Sequence, residues 1–468
     1  MQTNPARRFA SAVASLLGCL LLIALFMVQL RYTGYESGLV PVAHANGNAV
    51  VAHVPASPRT TVTAEYCSEV VAALDPNNPS GRTSTQLTFD DSWFFHDART
   101  YQHDLATACS VLAAVCNSES QYYDGVAGSL PYAERTLGAL GFHDVRTESY
   151  AMRSSVLDEV SSLLVGSSDV AAYTLASKTI ASDGDGKPVT LLFVGIRGTY
   201  GAEWLSNFNF LGAGSDDADH RGFKAAEEEV EKAVRSYASD LGIDPAHTRI
   251  LITGHSRGGA IANLLAADLG DPDDDASALA PSSGIYAYTF AAPCATRADD
   301  RHDPRFGNIF NVVNEADIVT QLPLSSWGFG RYGSTITLPS TVSVDFDDSY
   351  AIVQTAYQRN TGYALGCDED DFATLSTFGS TASTRVPTLD ALVSPLGIVG
   401  AVQSLLGLDL SAALTAHYPD TYIAWMQAGA ADQPASARLR ARSAASAGNG
   451  RRSVDCAPGR HAVPWTTR

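Results

Sequence analysis

Gly254-His255-Ser256-Arg257-Gly258 sets a serine between glycines two positions to either side. A serine hydroxyl becomes a useful nucleophile only when a base takes its proton. Small flanking residues are what such a serine needs where a strand and a helix close in around a strained turn. The pentapeptide alone is a weak signal in a chain with 38 Gly. Its setting gives it weight, because the apolar run Arg249 to Thr253 leads straight into it and Gly259-Ala260 opens a helical pattern behind it. Strand, sharp turn and helix together predict a nucleophile elbow at Ser256.

With this elbow the partners follow in the order serine, acid, histidine. Three histidines lie beyond Ser256. His302 falls in the charged loop RADDRHDPR and His461 in a basic tail, so His417 is the expected base, in a loop leading into Tyr422 to Met426. The acid belongs just past a later strand, where it binds the second imidazole nitrogen and holds the tautomer. Asp317 in NIFNVVNEADIVTQLP meets that condition, with Glu315 as a nearby fallback and Asp347 and Asp348 less well placed in an acid-rich stretch. The chemistry also requires two donors aimed at a developing oxyanion. The backbone amide of Arg257 is one, and Thr199, in the loop Arg197 to Gly201 after an apolar strand, is the other.

The elements that must hold these groups are legible in part. Val189 to Ile196 (VTLLFVGI) reads as a buried strand. Gly222 to Leu241 then shows helical spacing through Phe223, Ala226, Val230, Val234 and Tyr237. Strand Arg249 to Thr253, helix Ala260 to Leu269, and strands Ile285 to Phe290 and Ile309 to Val313 come next. This alternation predicts an α/β fold around a mostly parallel sheet. Trp93 to about Cys116 and Leu130 to Leu140 predict helices ahead of it. The expected organisation is a signal or anchor over 1–31, a linker over 32–85, one domain over 86–430 and a disordered basic tail over 431–468.

With 31 basic against 50 acidic residues, the net charge of −19 argues against nucleic acid as a partner. Phe9 to Leu30 is 22 residues without a charge, preceded by Arg7 and Arg8, long enough to cross a bilayer and to send the remainder of the chain out of the cytoplasm. The spacing favours a retained anchor, with Ala43-His44-Ala45 as the alternative cleavage site of a secreted form. Six cysteines lie beyond that segment, Cys67, Cys109, Cys116, Cys294, Cys367 and Cys456, and export would permit disulfides among them. They form no CxxC pair, so no metal is expected; Asp271 to Asp275 lacks the central glycine and closing glutamate of a calcium loop, and His96 and His103 read as surface or core residues.

Taken together, Arg197-Gly198-Thr199 with Glu203, Trp204 and Asn207, then ITGHSRGGAIANLLAA, NVVNEADIVTQLP and a histidine before a tyrosine-bearing helix, resemble the class 3 (fungal-type) lipases over roughly residues 85–430. The run Ser326 to Gly333 is most similar to a bacterial branch of that family. The resemblance implies an α/β-hydrolase fold with Ser256 as nucleophile, Asp317 as acid, His417 as base, and Thr199 and Arg257 as oxyanion donors. It also implies hydrolysis of lipid carboxylic esters, triacylglycerol or phospholipid, with no cofactor. Tyr200 to Leu211, with Trp204, Phe208 and Phe210, would be a lid, against the plainer reading of an aromatic-packed helix. A small-substrate carboxylesterase or thioesterase, or a weakly catalytic cell-surface binding protein, would use the same scaffold. The family usually carries an apolar residue where this chain has Arg257, whose guanidinium would suit a phosphate or carboxylate on the substrate or a buried acid. Replacing Arg257→Leu is therefore expected to reduce any preference for anionic over neutral esters, and an unchanged preference in a paired ester assay would remove that role.

Overall fold

A computed structural model describes residues 59–118, 131–148, 171–182, 187–198, 218–270, 278–341, 343, 346–392 and 394–431. The apolar segment 9–30, the site at 43–45, Thr199 with the expected lid, Asp271 to Asp275, Cys456, His461 and the basic tail lie outside the described residues. A seven-stranded sheet in unbroken sequence order carries the fold: β3 (His143–Glu148), β4 (Tyr173–Ser182), β5 (Pro188–Ile196), β6 (Thr248–His255), β7 (Ile285–Phe290), β8 (Ile309–Val313) and β9 (Ser334–Thr337). The first two pairings are antiparallel and the four from β5 to β9 are parallel.

The inner parallel strands β5 to β8 are largely apolar because both faces are covered. In β5, Leu191 and Phe193 point into one core while Leu192 and Val194 point into the other. β6 divides in the same way, Leu251 to one side and Ile250 and Ile252 to the other. Since the strand order never reverses after β5, right-handed crossovers must set their helices on one face. Helices α2 (Arg221–Leu241) and α3 (Arg257–Leu269) accordingly pack together there, with Val230, Val234, Ile261 and Leu265 against the sheet. The opposite face holds α1 (His103–Asn117), α4 (Phe346–Thr361), α5 (Leu410–His417) and α6 (Pro419–Ala431). The result is the three-layered α/β fold that the strand and helix alternation predicts, with the α/β-hydrolase arrangement that the resemblance implies.

Four features differ from the sequence-based expectation. Residues 59–85 are not linker: β1 (Arg59–Cys67) and β2 (Arg82–Asp90) form an antiparallel hairpin around the short helix Glu69–Leu74, with Ala64, Tyr66, Leu87 and Phe89 in the core. The helix expected from Trp93 starts only at His103, after a 3-10 turn over Asp91–Phe95. The antiparallel strands β3 and β4 were not anticipated, and Lys178 of β4 is buried in an ion pair with Asp91 at 2.7 Å, over the rings of Phe89 and Phe142. His417 ends helix α5 rather than lying in a loop. The cysteines Cys67, Cys109, Cys116, Cys294 and Cys367 are all buried thiols, with no disulfide among the described residues.

Among the described residues no single helix is long and apolar enough to cross a membrane; Pro395–Leu405 and α5 meet that measure only as a pair bent by 80°. The hairpin is tied to the far end of the chain through Asp420 in the first turn of α6. Its carboxylate accepts from Tyr66 Oη at 2.8 Å and from Ser68 Oγ at 2.9 Å. Burial dominates over those two bonds and pushes the Asp420 pKa up to about 6. A raised folded-state value means the fold prefers the protonated acid, so the penalty is absent at pH below about 4, grows through the window up to pH 6 and is complete above it. Asp420→Asn is expected to gain stability over wild type by on the order of 3 kcal/mol at pH 8 and to lose that advantage toward pH 4. Thermal melts at the two pH values check this, and a pH-independent difference would sink it.

Candidate active site

Ser256 stands on the turn between β6 and α3 with φ 56° and ψ −126°, a conformation that L-residues rarely adopt. The turn holds because its neighbours leave no room to relax. A Cβ at Gly254 would fall 2.4 Å from the carbonyl oxygen of Gly258, and one at Gly258 would fall 2.3 Å from that of Ile196. Both glycines are thus required by close approach of backbone, and the Ser256 amide is fastened to the carbonyl of Phe290 on β7 at 2.9 Å. The strain lifts the Oγ out of the strand direction at the carboxyl end of the sheet, where α/β folds bind ligands.

His417 Nε2 lies 2.9 Å from Ser256 Oγ. On the other side of the ring, Nδ1 lies 2.9 and 3.0 Å from the two carboxylate oxygens of Asp317. A carboxylate only accepts, so Nδ1 carries the hydrogen and the Nε2 lone pair faces the serine hydroxyl. All three side chains are buried, and Asp317 completely so. An isolated carboxylate there would be expensive. It is sustained by further donors: the Val319 amide at 3.0 Å and Tyr422 Oη at 2.8 Å. Burial beside Asp317 drives the Tyr422 phenol well above its ordinary value, so it remains a donor. Behind the acid, the Arg331 guanidinium bonds the carbonyls of Ala292 at 2.8 Å and of Thr320, clamping the turn that begins at Asp317.

The structure thus brings Ser256, Asp317 and His417 together, and Arg257 opens α3, where first-turn amides point out of the helix. The Arg257 side chain is itself buried. Glu315 lies off the relay, and Asp347 and Asp348 are exposed in the first turn of α4. His302 is exposed, its ring at 3.4 Å from the Gly333 carbonyl. His103 bonds the Met426 carbonyl at 2.9 Å and His96 is exposed, so the two share no site. Tyr422 and Arg331 were not singled out from the sequence. A tyrosine five residues past the histidine was the available signal for the first; the second is a lone arginine in a glycine-rich loop with no local pattern.

Residues 193–327 match the family model described as lipase (class 3), which takes in the end of β5, the Ser256 elbow and Asp317 and stops short of His417. Over that stretch the chain is similar to the class 3 lipases. It is 29% identical over 192 residues to a lipase of Rhizomucor miehei, covering 37% of this chain and 50% of that one. It is 27% identical over 195 residues to the secreted mono- and diacylglycerol lipase A of Penicillium cyclopium, covering 40% and 60%. The chain spans about half the length of the curated relatives it matches. Among solved structures it is similar to a triacylglycerol lipase, with TM-score 0.37, 19% identity, and 52% of this chain and 82% of that one covered. A Penicillium cyclopium enzyme gives TM-score 0.34 at 19% identity, over 55% and 83%.

Removing the phenol hydroxyl by Tyr422→Phe leaves the Asp317 carboxylate one donor short in a buried place. Ester hydrolysis is expected to fall about tenfold in kcat with KM held within about twofold, since the change acts on the base's orientation and not on substrate contacts. Steady-state kinetics check this; a shift carried by KM alone would contradict it.

Proposed function

We propose that this protein is a serine hydrolase that cleaves carboxylic esters of lipids through an acyl-enzyme. The observation that carries the proposal is the continuous relay from Ser256 Oγ through His417 to Asp317, with both hydrogen bonds at about 2.9 Å. In the first half-reaction, Ser256 Oγ attacks the ester carbonyl carbon while its proton passes to His417 Nε2. On this reading the tetrahedral oxyanion forms against the backbone amide of Arg257 and that of Thr199, the two donors the sequence proposes. Collapse breaks the bond to the alcohol, which leaves with the proton from His417. Water then attacks the acyl carbon, giving its proton to His417 and releasing the carboxylic acid and the serine hydroxyl.

A lipid ester as substrate is supported by the names of the relatives, a lipase and a mono- and diacylglycerol lipase. Tyr200 to Leu211, which carries Trp204, Phe208 and Phe210, is our candidate for the cover over the acyl site. We place the domain outside the cytoplasm, anchored or secreted, on the strength of the apolar segment 9–30. The test is labelling with a fluorophosphonate, followed by a series of p-nitrophenyl esters from acetate to palmitate. Labelling is expected in the wild-type protein and absent in Ser256→Ala, with His417→Ala slower by at least about 100-fold. Hydrolysis is expected to peak at the long chains. An optimum at acetate would move the reading to a small-ester carboxylesterase, and a folded wild-type protein that takes no label would leave a binding protein on a hydrolase scaffold.

A further inference from the structure

We propose that Asn117 and His255 are positioning residues that hold the oxyanion strand, the nucleophile strand and the general base in one register. The inference deepens the acyl-enzyme reading and rests on it. Asn117 ends α1 and is buried; His255 precedes Ser256 and is buried as well. The amide of Gly198, at the exit from β5 and one residue before Thr199, donates to Asn117 Oδ1 at 2.7 Å. A backbone N–H only donates, so the Asn117 oxygen must face Gly198 and its NH2 group must face the ring of His255. There Nδ2 meets His255 Nδ1 at 3.5 Å, the loosest link. At the far end, His255 Nε2 lies 2.8 Å from the carbonyl oxygen of His417.

That carbonyl only accepts, which puts the His255 hydrogen on Nε2 and leaves Nδ1 with the lone pair that Asn117 requires. The donor and acceptor senses therefore agree along the whole chain of contacts, and both ends are backbone atoms that have no second choice. Reversing the Asn117 amide would set two donors against each other at Gly198 and two acceptors against each other at His255 Nδ1. Adding a proton to His255 would set an N–H against the Asn117 NH2. Burial, and next the charge of His417, hold the His255 pKa well below its usual value and keep the ring in the neutral form this geometry demands. The His255 ring also packs at 5.0 Å between centroids on the His417 ring and at 5.7 Å, edge-on, on Tyr422.

What these contacts do is mechanical. His417 sits at the end of a helix far along the chain from Ser256, and its imidazole must arrive within hydrogen-bond reach of Oγ. His255 grips the backbone carbonyl of the base from the residue adjoining the nucleophile. Asn117 then refers the same ring to the strand that delivers Thr199. Removing either residue is expected to loosen three reacting groups together without touching the substrate, and a misplacement of about 1 Å in such groups costs on the order of 100-fold in rate.

The experiment compares wild type, Asn117→Ala, His255→Phe, His255→Gln and His255→Asn by fluorophosphonate labelling rate, steady-state kinetics and melting temperature. Asn117→Ala and His255→Phe are expected to lose about 10- to 100-fold in kcat and in labelling rate, with KM within about twofold. A glutamine nitrogen can stand near Nε2 and keep the bond to the His417 carbonyl, whereas an asparagine oxygen stands near Nδ1 and keeps only the bond to Asn117. His255→Gln is therefore expected to retain at least about tenfold more activity than His255→Asn, which decides the matter even where the phenylalanine variant does not fold. Folded variants with wild-type kcat and labelling rate, or equal activity for the glutamine and asparagine variants, would overturn the proposal. A wild-type protein that takes no Ser256-dependent label would instead remove the reaction it rests on.

Discussion

The strained backbone at Ser256 is the constraint on which the rest of this molecule depends. A residue with a Cβ at φ 56° stays there only if its surroundings cost more to rearrange than the turn costs to hold. The sheet supplies that rigidity. β5, β6 and β7 are joined in parallel register, and the last residues of β6 face Ile196 of β5 and Phe290 of β7. Helix α3 then leaves so close to the end of β5 that only hydrogen fits at Gly258. Ala291 also takes a positive φ, of 53°, directly after the strand whose carbonyl holds the serine amide. Two non-glycine residues on adjoining strand ends are thus held outside their preferred regions at the place where the chemistry is proposed.

The polar groups behind this turn share one pattern: each is buried, and each finds hydrogen-bond partners there, many of them backbone atoms. Asp317 collects an imidazole N–H, a phenol and a backbone amide. Arg331 spends its guanidinium on main-chain carbonyls. Asn263 and Asn311 bond each other and the carbonyl of Tyr332, knitting α3 to β8 and to the loop that carries Arg331. Buried networks that are fully satisfied add rigidity and specify one arrangement, while a half-satisfied one is costly. The site is therefore preorganised by main-chain geometry more than by ion pairs.

Ser256 and the strands around it were legible because their information is local. A parallel strand buried on both faces must be largely apolar, and an elbow must place small residues at fixed offsets, so β5 to β8, α2 and α3 stand out in the composition of a few adjacent residues. The order of the motifs along the chain likewise pointed to Asp317 and His417. The hairpin over 59–90 was not legible, because RTTVTAEYC and RTSTQLTFD are rich in threonine, a residue that suits a half-exposed strand and a tether equally. Strand β4 hides in the same way: YTLASKTIAS contains a lysine that lies in the interior only because Asp91, some 87 positions earlier in the chain, is its partner. His255 and Asn117 were invisible for a related reason. Their partners are backbone atoms at distances of 162 and 81 positions along the chain, and no local pattern encodes those.

The placement of His417 brings the overlooked hairpin close to the candidate site. Helix α5 carries His417 at its last position, and Pro419 begins α6 directly after it, so the imidazole sits at a corner between two helices with one residue of slack. A corner of that kind is positioned by what holds its two arms. One arm is held by the His255 ring on the His417 carbonyl and by Asn314 Nδ2 on the carbonyl of Ala416 at 3.0 Å. The other is held at Asp420 by Tyr66 and Ser68, from β1 and the residue that caps the short helix after it. A segment whose composition reads as a spacer thus supplies two of the hydrogen bonds that hold the helix after His417. Asp420 is buried at that corner, where the Tyr66 and Ser68 hydroxyls meet its carboxylate and tie the start of α6 to the hairpin.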